Sequence, residues 1–388
     1  MHRLQLHYTL SRDASPASVR NPLIDLLQAV SSQGSISGGA RALSLSYRHV
    51  WGELKRWENE LGNELLVWEK GQSARLSEFG TKLMWAERQA QARLAPQIEA
   101  LRSELERSFA LAFDDQVHVL TLYASHDEVI SALREFALRG PDESQRLHLE
   151  IRFTGSVDAI RALNEGRCIL AGFHTLQDAG RQTRSERTYK PLLKPGLHKL
   201  ISFATRSQGL MIAPGNPLGL QSLRDVARTQ ARFANRALGS GTRVVLDELL
   251  DQLGLHGDQI NGYERMEPSH AAVAQAVASG QCDAGLGIAA AAQLAGLDFV
   301  PLVTERYHLV CLKSALDQPG VVQLRQLLQT PAWQTAVSEI VGYTPVASGQ
   351  VLSLRRVLPW WHFVQTKPQH LGEWGAIQSD VVSRQTTT

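Results

Sequence analysis

The pattern of apolar residues changes character near Phe113, and this change constrains the fold more than any other feature of the 388-residue chain. Before Phe113 the apolar residues recur with a helical period among many arginines. After it, short β-like runs alternate with helical stretches, the order of a parallel sheet with crossover helices. Because a chain of this length exceeds what one core usually holds, we predict an N-terminal helical domain, an α/β domain, and a boundary between Ala110 and Gln116.

The composition is that of an ordinary globular protein, with 43% hydrophobic and 20% charged residues. Apolar runs such as 117–123 are too short to span a bilayer, and the N-terminus lacks the charged-then-apolar order of a signal peptide. We therefore expect a cytoplasmic protein without membrane contact. The net charge of +2 is close to zero, so any contact with nucleic acid must come from a local basic face.

The cysteine, serine, histidine and aspartate residues of the chain are not spaced as in known metal-binding or catalytic sites. Cys168, Cys282 and Cys311 are far apart in the chain and fit no metal-ligand spacing, so we expect reduced, mostly buried thiols. Because zinc, nucleophile-elbow and dinucleotide signatures are absent from the sequence, we expect no catalytic residue, metal or cofactor. The tripeptide 125–127 (Ser-His-Asp) has the residue types of a hydrolytic triad, but consecutive side chains cannot converge. A hydrolase that uses partners elsewhere in the chain stays as an alternative.

The segment that follows Asn21 predicts a winged helix-turn-helix. A first helix opens at Asn21-Pro22, a second starts at Ser35, and a third runs from Ser46 or Tyr47 to about Leu61. Two short β-like runs then flank a basic tip at 70–73. In this order of elements the third helix can enter a major groove of DNA while the hairpin touches the phosphate backbone.

The third helix has a stripe predicted to be buried (Val50, Leu54, Trp57 and Leu61) and a face predicted to meet DNA. The candidates for operator contact, with two hairpin residues for the phosphates, are Ser46, Tyr47, Arg48, Trp51, Lys55, Lys70 and Arg75. For Lys55 and Arg56 the alternative is a solvated helix face paired with Glu58 or Glu60. For Trp51 the alternative is packing against the first helix.

This N-terminal region resembles the DNA-binding domain of molybdate-responsive regulators, a relative of the LysR-type domain. The resemblance covers roughly Asn21 to Trp85, with two glycines at 38–39 where the family usually has alanines. It implies a dimer that binds a palindromic operator. The segments that carry it are 34–47, Trp51, 61–62, 69–71 and 75–80.

A long helix is predicted from Thr81 to Phe109. Its apolar stripe suits a partner helix, and we favour a dimerisation linker over packing on its own domain only. Pro96 should kink it, because proline lacks a backbone donor and clashes with the preceding turn. The stripe consists of Ala90, Leu94, Ile98, Leu101 and Leu105.

Beyond this helix, three strands are predicted at 118–123, 148–153 and 169–173, and the segments 199–214 and 232–236 suggest a second lobe. In open parallel sheets, ligands bind beyond the carboxyl ends of strands, where Ser125 and Ser156 lie. The segment 238–243 (Leu-Gly-Ser-Gly-Thr-Arg) opens a helix to Leu253 and has the composition of an anion cradle. Gly239 and Gly241 allow close backbone approach, Ser240 and Thr242 supply hydroxyls, and Arg243 or Arg236 supplies charge.

The region from about Val117 to Val357 resembles the substrate-binding-like domain of molybdate-type regulators. The segments that carry it are 125–127, 171–174, 209–210, 214–219, 235–243, 283–287, 298–302 and 305–307. It implies a two-lobed, type II periplasmic-binding-protein-like α/β domain with a ligand cleft. Carried over by position, the contacts are Ser125, Ser156, Ser240, Thr242 and Arg243, with His126 and His174 as further candidates. A hydrogen-bonded core histidine is the simpler alternative for both, and more so for His126.

The expected organisation is a DNA-binding domain at 1–80, a linker helix at 81–112, an effector domain at 113–365 and a flexible tail at 366–388. The first lobe comprises about 113–200 and 305–365, and the second 201–304. We expect a homodimer or homotetramer that binds double-stranded operator DNA and a small anion. That anion would be an oxyanion such as molybdate or tungstate, or a small carboxylate such as formate. A ligand-independent scaffold is the alternative role for the second half.

Overall fold

The computed structural model describes residues 21–68, 73–113, 118–139, 147–178 and 180–361. Lys70 and the predicted tail at 366–388 lie outside the described residues. The helices are α1 (Pro22–Gln33), α2 (Ile36–Ala42), α3 (Tyr47–Leu61), α4 (Glu78–Phe113), α5 (Glu128–Arg139), α6 (Ser156–Asn164), α7 (Arg184–Tyr189), α8 (Leu223–Thr229), α9 (Gly241–Leu253), α10 (His270–Ala278), α11 (Ala289–Leu294), α12 (Pro319–Gln329), α13 (Pro331–Glu339) and α14 (Leu354–Val357). The strands are β1 (Leu66–Val67), β2 (Arg75–Leu76), β3 (His118–Ala124), β4 (Leu147–Phe153), β5 (Leu170–Leu176), β6 (His198–Ile212), β7 (Phe233–Arg236), β8 (Met266–Glu267), β9 (Ala284–Ile288), β10 (Asp298–Leu312), β11 (Tyr343–Pro345) and β12 (Val351–Ser353).

The three N-terminal helices begin at polar caps, as the sequence predicted. The side chain of Asn21 accepts from the amide of Leu23, Ser35 caps α2, and Ser46 caps α3 by accepting from the amide of His49. Each cap satisfies a backbone N–H that has no partner inside the helix. Strands β1 and β2 then pair in antiparallel fashion. The predicted helix, helix, turn, helix and hairpin order is confirmed.

The glycine pair at 38–39 allows α2 to pack closely against α1. A Cβ atom on Gly38 would lie 2.7 Å from Cβ of Gln33, and one on Gly39 would lie 3.0 Å from the backbone nitrogen of Val30. An alanine at either position would therefore require α1 to shift. The low helix propensity of glycine is the cost of this close approach.

Helix α4 is continuous over 36 residues and includes Pro96, so it extends beyond both predicted ends. Met84 is buried in the core of the N-terminal domain, whereas Ser103 is buried against β4 of the α/β domain. Three residues of the predicted stripe are exposed: Ala90, Leu94 and Leu101, of which the leucines are 45% and 57% exposed, whereas Ile98 and Leu105 are half-buried. Dimerisation through this stripe stays a prediction, as does the kink at Pro96.

The α/β domain is built on one mixed sheet with the strand order β4-β3-β5-β10-β6-β9-β7-β8. The pairs β3–β4, β3–β5, β7–β9 and β7–β8 are parallel, and β6 and β10 pair antiparallel to each other. Strands β6 and β10 have 15 residues each and pass from one half of the sheet to the other. We call the half with β3 to β5 and α5 to α7 the first lobe, and the half with β7 to β9 and α8 to α11 the second lobe. The predicted lobe boundaries fall within the two long strands.

The cysteines are reduced and lie inside the protein. All three are buried and none of them forms a disulfide, as the sequence predicted. Among the described helices, none is both long enough and apolar enough to cross a bilayer.

Candidate ligand-binding cleft and DNA-binding surface

The two lobes touch where α6 begins beside the loop that precedes α9. The amide of Val157 donates to the carbonyl of Gly239 at 3.3 Å. A Cβ atom on Gly155 would lie only 2.6 Å from the same carbonyl oxygen, so a side chain there would push the lobes apart. The cleft of this structure is therefore closed, and glycine at 155 permits the closure.

Three of the predicted ligand residues meet at this contact. A Cβ atom on Gly241 would lie 3.1 Å from Oγ of Ser156 and 3.2 Å from Nδ1 of His174. The ring of Tyr307, from the long strand β10, lies against His174 with 3.9 Å between ring centroids. Elements that are distant in sequence thus place a hydroxyl, an imidazole and a phenol side by side.

A second group of polar side chains surrounds Thr242. The side-chain nitrogen of Gln208, on β6, donates to Oγ1 of Thr242 at 2.9 Å, and Nε2 of His270 lies 3.4 Å from the same oxygen.

The two histidines of the cleft have lowered pKa values. Burial and then the charge of Arg206 lower the pKa of His174 well below its ordinary value. Burial and then Arg236 do the same to the pKa of His270. Both imidazoles are consequently neutral near pH 7.

Several buried polar atoms around this contact have no hydrogen-bond partner among the described residues. Since buried polar groups in proteins are normally paired, such a concentration is typical of a binding site. It includes predicted and unpredicted residues. The atoms are Oγ of Ser125, Oγ of Ser156, both ring nitrogens of His174, Oε1 of Gln208, Nε and Nη1 of Arg236, Nδ1 of His270 and the hydroxyl of Tyr307.

Two buried arginines near the cleft differ in their partners. Arg206 lies between two carboxylates, bonding Asp127 and, at 2.8 Å, Glu305. Arg236 forms no ion pair with any described residue, although it is only 3% exposed. Burial, followed by the nearby charge of Arg206, lowers the pKa of Arg236 to about 10, so it still carries its charge at neutral pH. Arg236 is therefore a buried cation that is available to an anion.

Three predicted contacts also have partners within the chain, and their contact with a ligand stays a prediction. His126 bonds Glu99 of α4 at 3.3 Å. The hydroxyl of Ser240 donates to the carbonyl of Ala237 at 2.7 Å and caps α9. Arg243 bonds Asp247 at 3.0 Å, and its guanidinium lies 3.9 Å from the centroid of the Tyr263 ring. Serine at a helix start and arginine four residues before an aspartate are typical local arrangements.

The tripeptide 125–127 does not form a hydrolytic triad. Its histidine bonds Glu99, and its aspartate accepts from Tyr343 at 2.6 Å and pairs with Arg206. The histidine and the aspartate therefore bond separate partners, and the hydroxyl of Ser125 bonds neither of them.

On another rim of the cleft, α7 of the first lobe is bonded to α9 of the second. The backbone amide and hydroxyl of Ser185 both donate to Oε2 of Glu248, at 3.0 and 2.5 Å. Next to them, Arg184 makes a two-point ion pair with Asp251 at 2.6 and 3.1 Å. These bonds hold the lobes together independently of the α6–α9 contact.

Helix α4 also contacts both lobes. Arg93 pairs with Glu267 of the second lobe, and the hydroxyl of Ser269 donates to the carbonyl of Ala92 at 3.0 Å. Six residues further along the helix, Glu99 bonds His126 and, at 2.8 Å, Ser131 of the first lobe. One continuous helix therefore connects the N-terminal domain to both walls of the cleft.

On the N-terminal domain, the outward face of α3 presents Tyr47 and Arg48. Tyr47 is half-exposed, and Arg48 is exposed and bonds no other described residue. Ser46, in contrast, uses its hydroxyl to cap the helix. Arg75 is exposed on β2. Lys70 lies outside the described residues, so its placement at the hairpin tip stays a prediction.

Lys55 holds α3 against the hairpin. The pairing of Lys55 with Glu58, which the sequence offered as an alternative to DNA contact, is present in the structure. Its ammonium is 2.5 Å from Glu58 and lies 5.4 and 5.0 Å from the ring centroids of Trp51 and Trp68. Glu58 in turn accepts from the backbone amides at the start of β1. Arg56 pairs with Glu53 rather than with Glu60. Trp51 is 38% exposed beside Lys55.

Sequence reasoning missed Gln208, His270 and Tyr307 as cleft residues. The signal for Gln208 is present in β6, where Arg206 and Gln208 are polar residues two positions apart, on one face of the strand, and both are buried. His270 follows the serine that caps an apolar helix rich in alanine and valine. Neither signal says which distant residue will lie opposite.

Two family models match separate parts of the chain. Residues 23–81 match the one described as "Bacterial regulatory helix-turn-helix protein, lysR family", and residues 141–329 match the one described as "PBP superfamily domain". Among solved structures, a mutant of OxyR from Corynebacterium glutamicum is 16% identical, with a TM-score of 0.42 over 84% of this chain and 96% of that chain.

Two curated relatives share higher identity with the chain. The Bacillus subtilis (strain 168) protein YvgK, described as uncharacterized, is 32% identical over 201 residues, which are 52% of this chain and 64% of that protein. The chain thus spans less than two thirds of the length of that relative. An uncharacterized Clostridium pasteurianum protein, from the 5′ region of a ferredoxin 2Fe-2S gene, is 32% identical over 111 residues, 28% of this chain and 98% of that protein. The chain therefore belongs to the same family as the clostridial protein, and it joins a lysR-family helix-turn-helix to a PBP superfamily domain.

Proposed function

We propose that this chain is a ligand-responsive, DNA-binding transcriptional regulator whose effector is a small anion bound between the two lobes of the α/β domain. The choice of an anion as the ligand rests on Arg236. Its buried guanidinium has two unpartnered nitrogens and no carboxylate partner among the described residues. Burying an unpaired charge is costly, so a negatively charged ligand at this position is favoured.

The neighbours of Arg236 suit a small ligand. Ser125 and Ser156 contribute unpartnered hydroxyls from the first lobe, and the start of α9 contributes backbone N–H groups from the second. A helix N-terminus favours negative charge because its N–H groups and its dipole point outward. Molybdate, tungstate and formate all carry the required negative charge, and the resemblance to molybdate-responsive regulators makes molybdate the first anion to test.

Helix α4 supplies the connection between ligand and DNA. Because it is bonded to both lobes and continues into the N-terminal core, a change in the angle between the lobes must break one set of its contacts or move the helix. An anion that binds the closed form more tightly than the open form would therefore alter the position of the helix. In a homodimer or homotetramer, this would change the spacing of the paired α3 helices.

The DNA-binding half of the proposal rests on α3. Tyr47 and Arg48 are exposed at its N-terminal end, where a helix in the major groove reads base edges, with Trp51 one turn further on. Lys55 is committed to Glu58, so we expect it to position the helix rather than read bases.

The test combines DNA binding with calorimetry. Binding to duplexes from the chain's own promoter region is measured by fluorescence anisotropy at low ionic strength, with scrambled duplexes as the reference. Calorimetric titration then uses molybdate, tungstate, sulfate, formate and a wider panel of small metabolites. We expect specific DNA binding and at least one anion whose binding is lost in Arg236→Met but kept in Arg228→Met, an exposed arginine on α8.

The alternatives give different results in the same experiments. A ligand-independent scaffold would bind the promoter but release no heat with any compound. A hydrolase would turn over substrates in a screen, and Ser125→Ala would abolish that turnover. Absence of any promoter binding at low ionic strength would overturn the proposal as a whole.

A further inference from the structure

We infer that the effector is an anion that carries its own hydrogen-bond donor, such as a hydroxycarboxylate or a protonated oxyanion, rather than a fully ionised tetrahedral oxyanion. This inference rests on the proposed function, because it specifies the ligand of the same cleft. It follows from the balance of donors and acceptors among the unpartnered buried atoms of the cleft.

The first acceptor belongs to His174. Both ring nitrogens lack a partner among the described residues, and the ring lies between the start of α9 and the ring of Tyr307. Because the imidazole is neutral, one nitrogen bears a proton and the other bears a lone pair, whichever tautomer is present. His174 therefore presents one acceptor as well as one donor.

The second acceptor comes from the chain of hydrogen bonds that links Gln208, Thr242 and His270. If Gln208 donates to Thr242 and Thr242 donates to His270, the free ends are the amide oxygen of Gln208 and a protonated Nδ1 of His270. If the chain runs in the opposite direction, the free ends are the amide nitrogen of Gln208 and a bare Nδ1 of His270. Either direction leaves one free donor and one free acceptor.

The cleft thus holds at least two unpartnered acceptors beside the cation Arg236 and the hydroxyls of Ser125, Ser156 and Tyr307, none of which hydrogen-bonds either acceptor in this structure. Sulfate and molybdate bear no proton at neutral pH, so their oxygens would face these acceptors lone pair to lone pair. An unmatched buried acceptor lowers affinity roughly tenfold or more. A ligand with both a negative charge and an O–H or N–H group satisfies the two kinds of atom at once.

Matched pairs of anions test this inference on the wild-type protein by calorimetry at pH 7.5. Acetate and glycolate have the same charge and differ by one hydroxyl group, and sulfate and hydrogenphosphate have a similar size and differ by one proton. We expect the member with a donor to bind at least tenfold more tightly in at least one pair. Tighter binding of sulfate, molybdate, acetate or formate than of every donor-bearing anion would overturn the inference while leaving the proposed function in place. If no anion binds, both fail.

Substitution of the acceptor gives an independent readout. Gln208→Met keeps the volume of the side chain but removes its hydrogen-bonding atoms, and Gln221→Met, at an exposed position, is the matched control. We expect Gln208→Met to weaken the donor-bearing anion roughly tenfold and to leave the donor-free member of the pair unchanged, so that the preference shrinks. Equal weakening of both members would contradict the assignment of the acceptor to this group of residues.

Discussion

Arg93 of α4 and Glu267 of β8 form a two-point ion pair, with Nε to Oε2 at 2.8 Å and Nη2 to Oε1 at 2.7 Å. Glu267 is directly opposite Arg236 in the parallel pairing of β8 with β7. The carboxylate that anchors the long helix is therefore the immediate neighbour, in the sheet, of the unpaired cation of the cleft. A change in the position of Arg236 can therefore reach α4 through a single neighbouring residue, Glu267.

Removing Arg93 should destabilise the protein and weaken the coupling of ligand to DNA. Arg93→Met leaves the buried carboxylate of Glu267 without its partner, and because Arg93 itself is 48% exposed, water can partly replace it. We expect a loss of about 1–2 kcal/mol in the free energy of unfolding, less than for a fully buried pair. Urea denaturation measures this loss, and anisotropy with and without ligand measures the coupling. Lys82→Met, which breaks an exposed pair on the same helix, should leave the free energy of unfolding nearly unchanged. Equal losses in the two variants would contradict this role for Arg93.

Glu58 should be the main acid-sensitive link between α3 and the hairpin. Although burial opposes it, the hydrogen bonds from Lys55 and from the amides of Leu65 and Leu66 lower the pKa of Glu58 below its ordinary value. A lowered folded pKa means that stability is present above the unfolded pKa of about 4.5 and is lost as the pH falls below it. Glu58→Gln should cost about 1–3 kcal/mol and speed hydrogen exchange at the amides of Leu65 and Leu66. Glu53→Gln, in an exposed pair, is the control, and unchanged exchange in Glu58→Gln would refute the link.

Arg48 should determine sequence preference rather than overall affinity for DNA. Its guanidinium is exposed near the start of α3 and bonds no other described residue, so it is free to contact a base edge. Arg48→Ala should lose about 1–3 kcal/mol on the promoter duplex and much less on a scrambled duplex. Arg56→Ala, whose side chain pairs with Glu53, provides the comparison. A uniform loss on both duplexes would assign Arg48 to the phosphate backbone instead.

The exposed stripe of α4 should hold the oligomer together. Leu94 and Leu101 are seven residues apart on one face of the helix and are both exposed, as in a seam that awaits a partner helix. The double substitution Leu94→Glu and Leu101→Glu should convert the protein to monomers in sedimentation velocity without lowering its melting temperature. Leu294→Glu, at a leucine that is 73% exposed on α11, should leave the assembly intact. Persistence of the oligomer in the double variant would exclude this face.

The neutral histidines of the cleft should make the α/β domain less stable as the pH falls from 7 to 5. The pKa values of His174 and His270 lie well below the unfolded value of about 6.5, so the unfolded chain takes up protons that the folded chain does not. The unfolding free energy should therefore drop, by up to about 1.4 kcal/mol per pH unit for each histidine. Glu128 acts in the opposite direction, because burial and Asp127 raise its pKa to about 7, and burial also raises the pKa of Glu305. Burial lowers the pKa values of His148, His198 and His308, so these histidines add to the drop.

Urea denaturation at pH 7.5, 6.5 and 5.5 checks the pH dependence. His174→Asn and His270→Asn should each flatten the dependence, whereas substitution of His256, which is exposed, should not. A pH profile of the His174 and His270 variants that parallels the wild type would disprove the assignment.

The sequence was sufficient for the N-terminal helices, the caps of α2 and α3 and the first three strands of the α/β domain, because those features depend on neighbours within a few residues. The capping serines at 35 and 46 and the period of α3 are examples. The site could be predicted only where a residue follows a strand or opens a helix, as Ser156 and Thr242 do. Gln208 and Tyr307 reach the cleft through the pairing of two 15-residue strands whose register depends on contacts a hundred residues apart. For Arg243 and Ser240 the sequence predicts contact with a ligand, but composition alone does not reveal that Asp247 bonds the arginine and that the serine caps α9.

The length of α4 also determines how far a tilt of the helix moves the DNA-binding domain. Between Arg93, which is anchored to the second lobe, and the start of the helix at Glu78, an α-helix advances about 22 Å. A rod of that length tilted by about 10° displaces its far end by roughly 4 Å, which slightly exceeds the rise of one nucleotide along a DNA strand. A tilt of about 10° is thus enough to move a recognition helix by one nucleotide relative to its half-site.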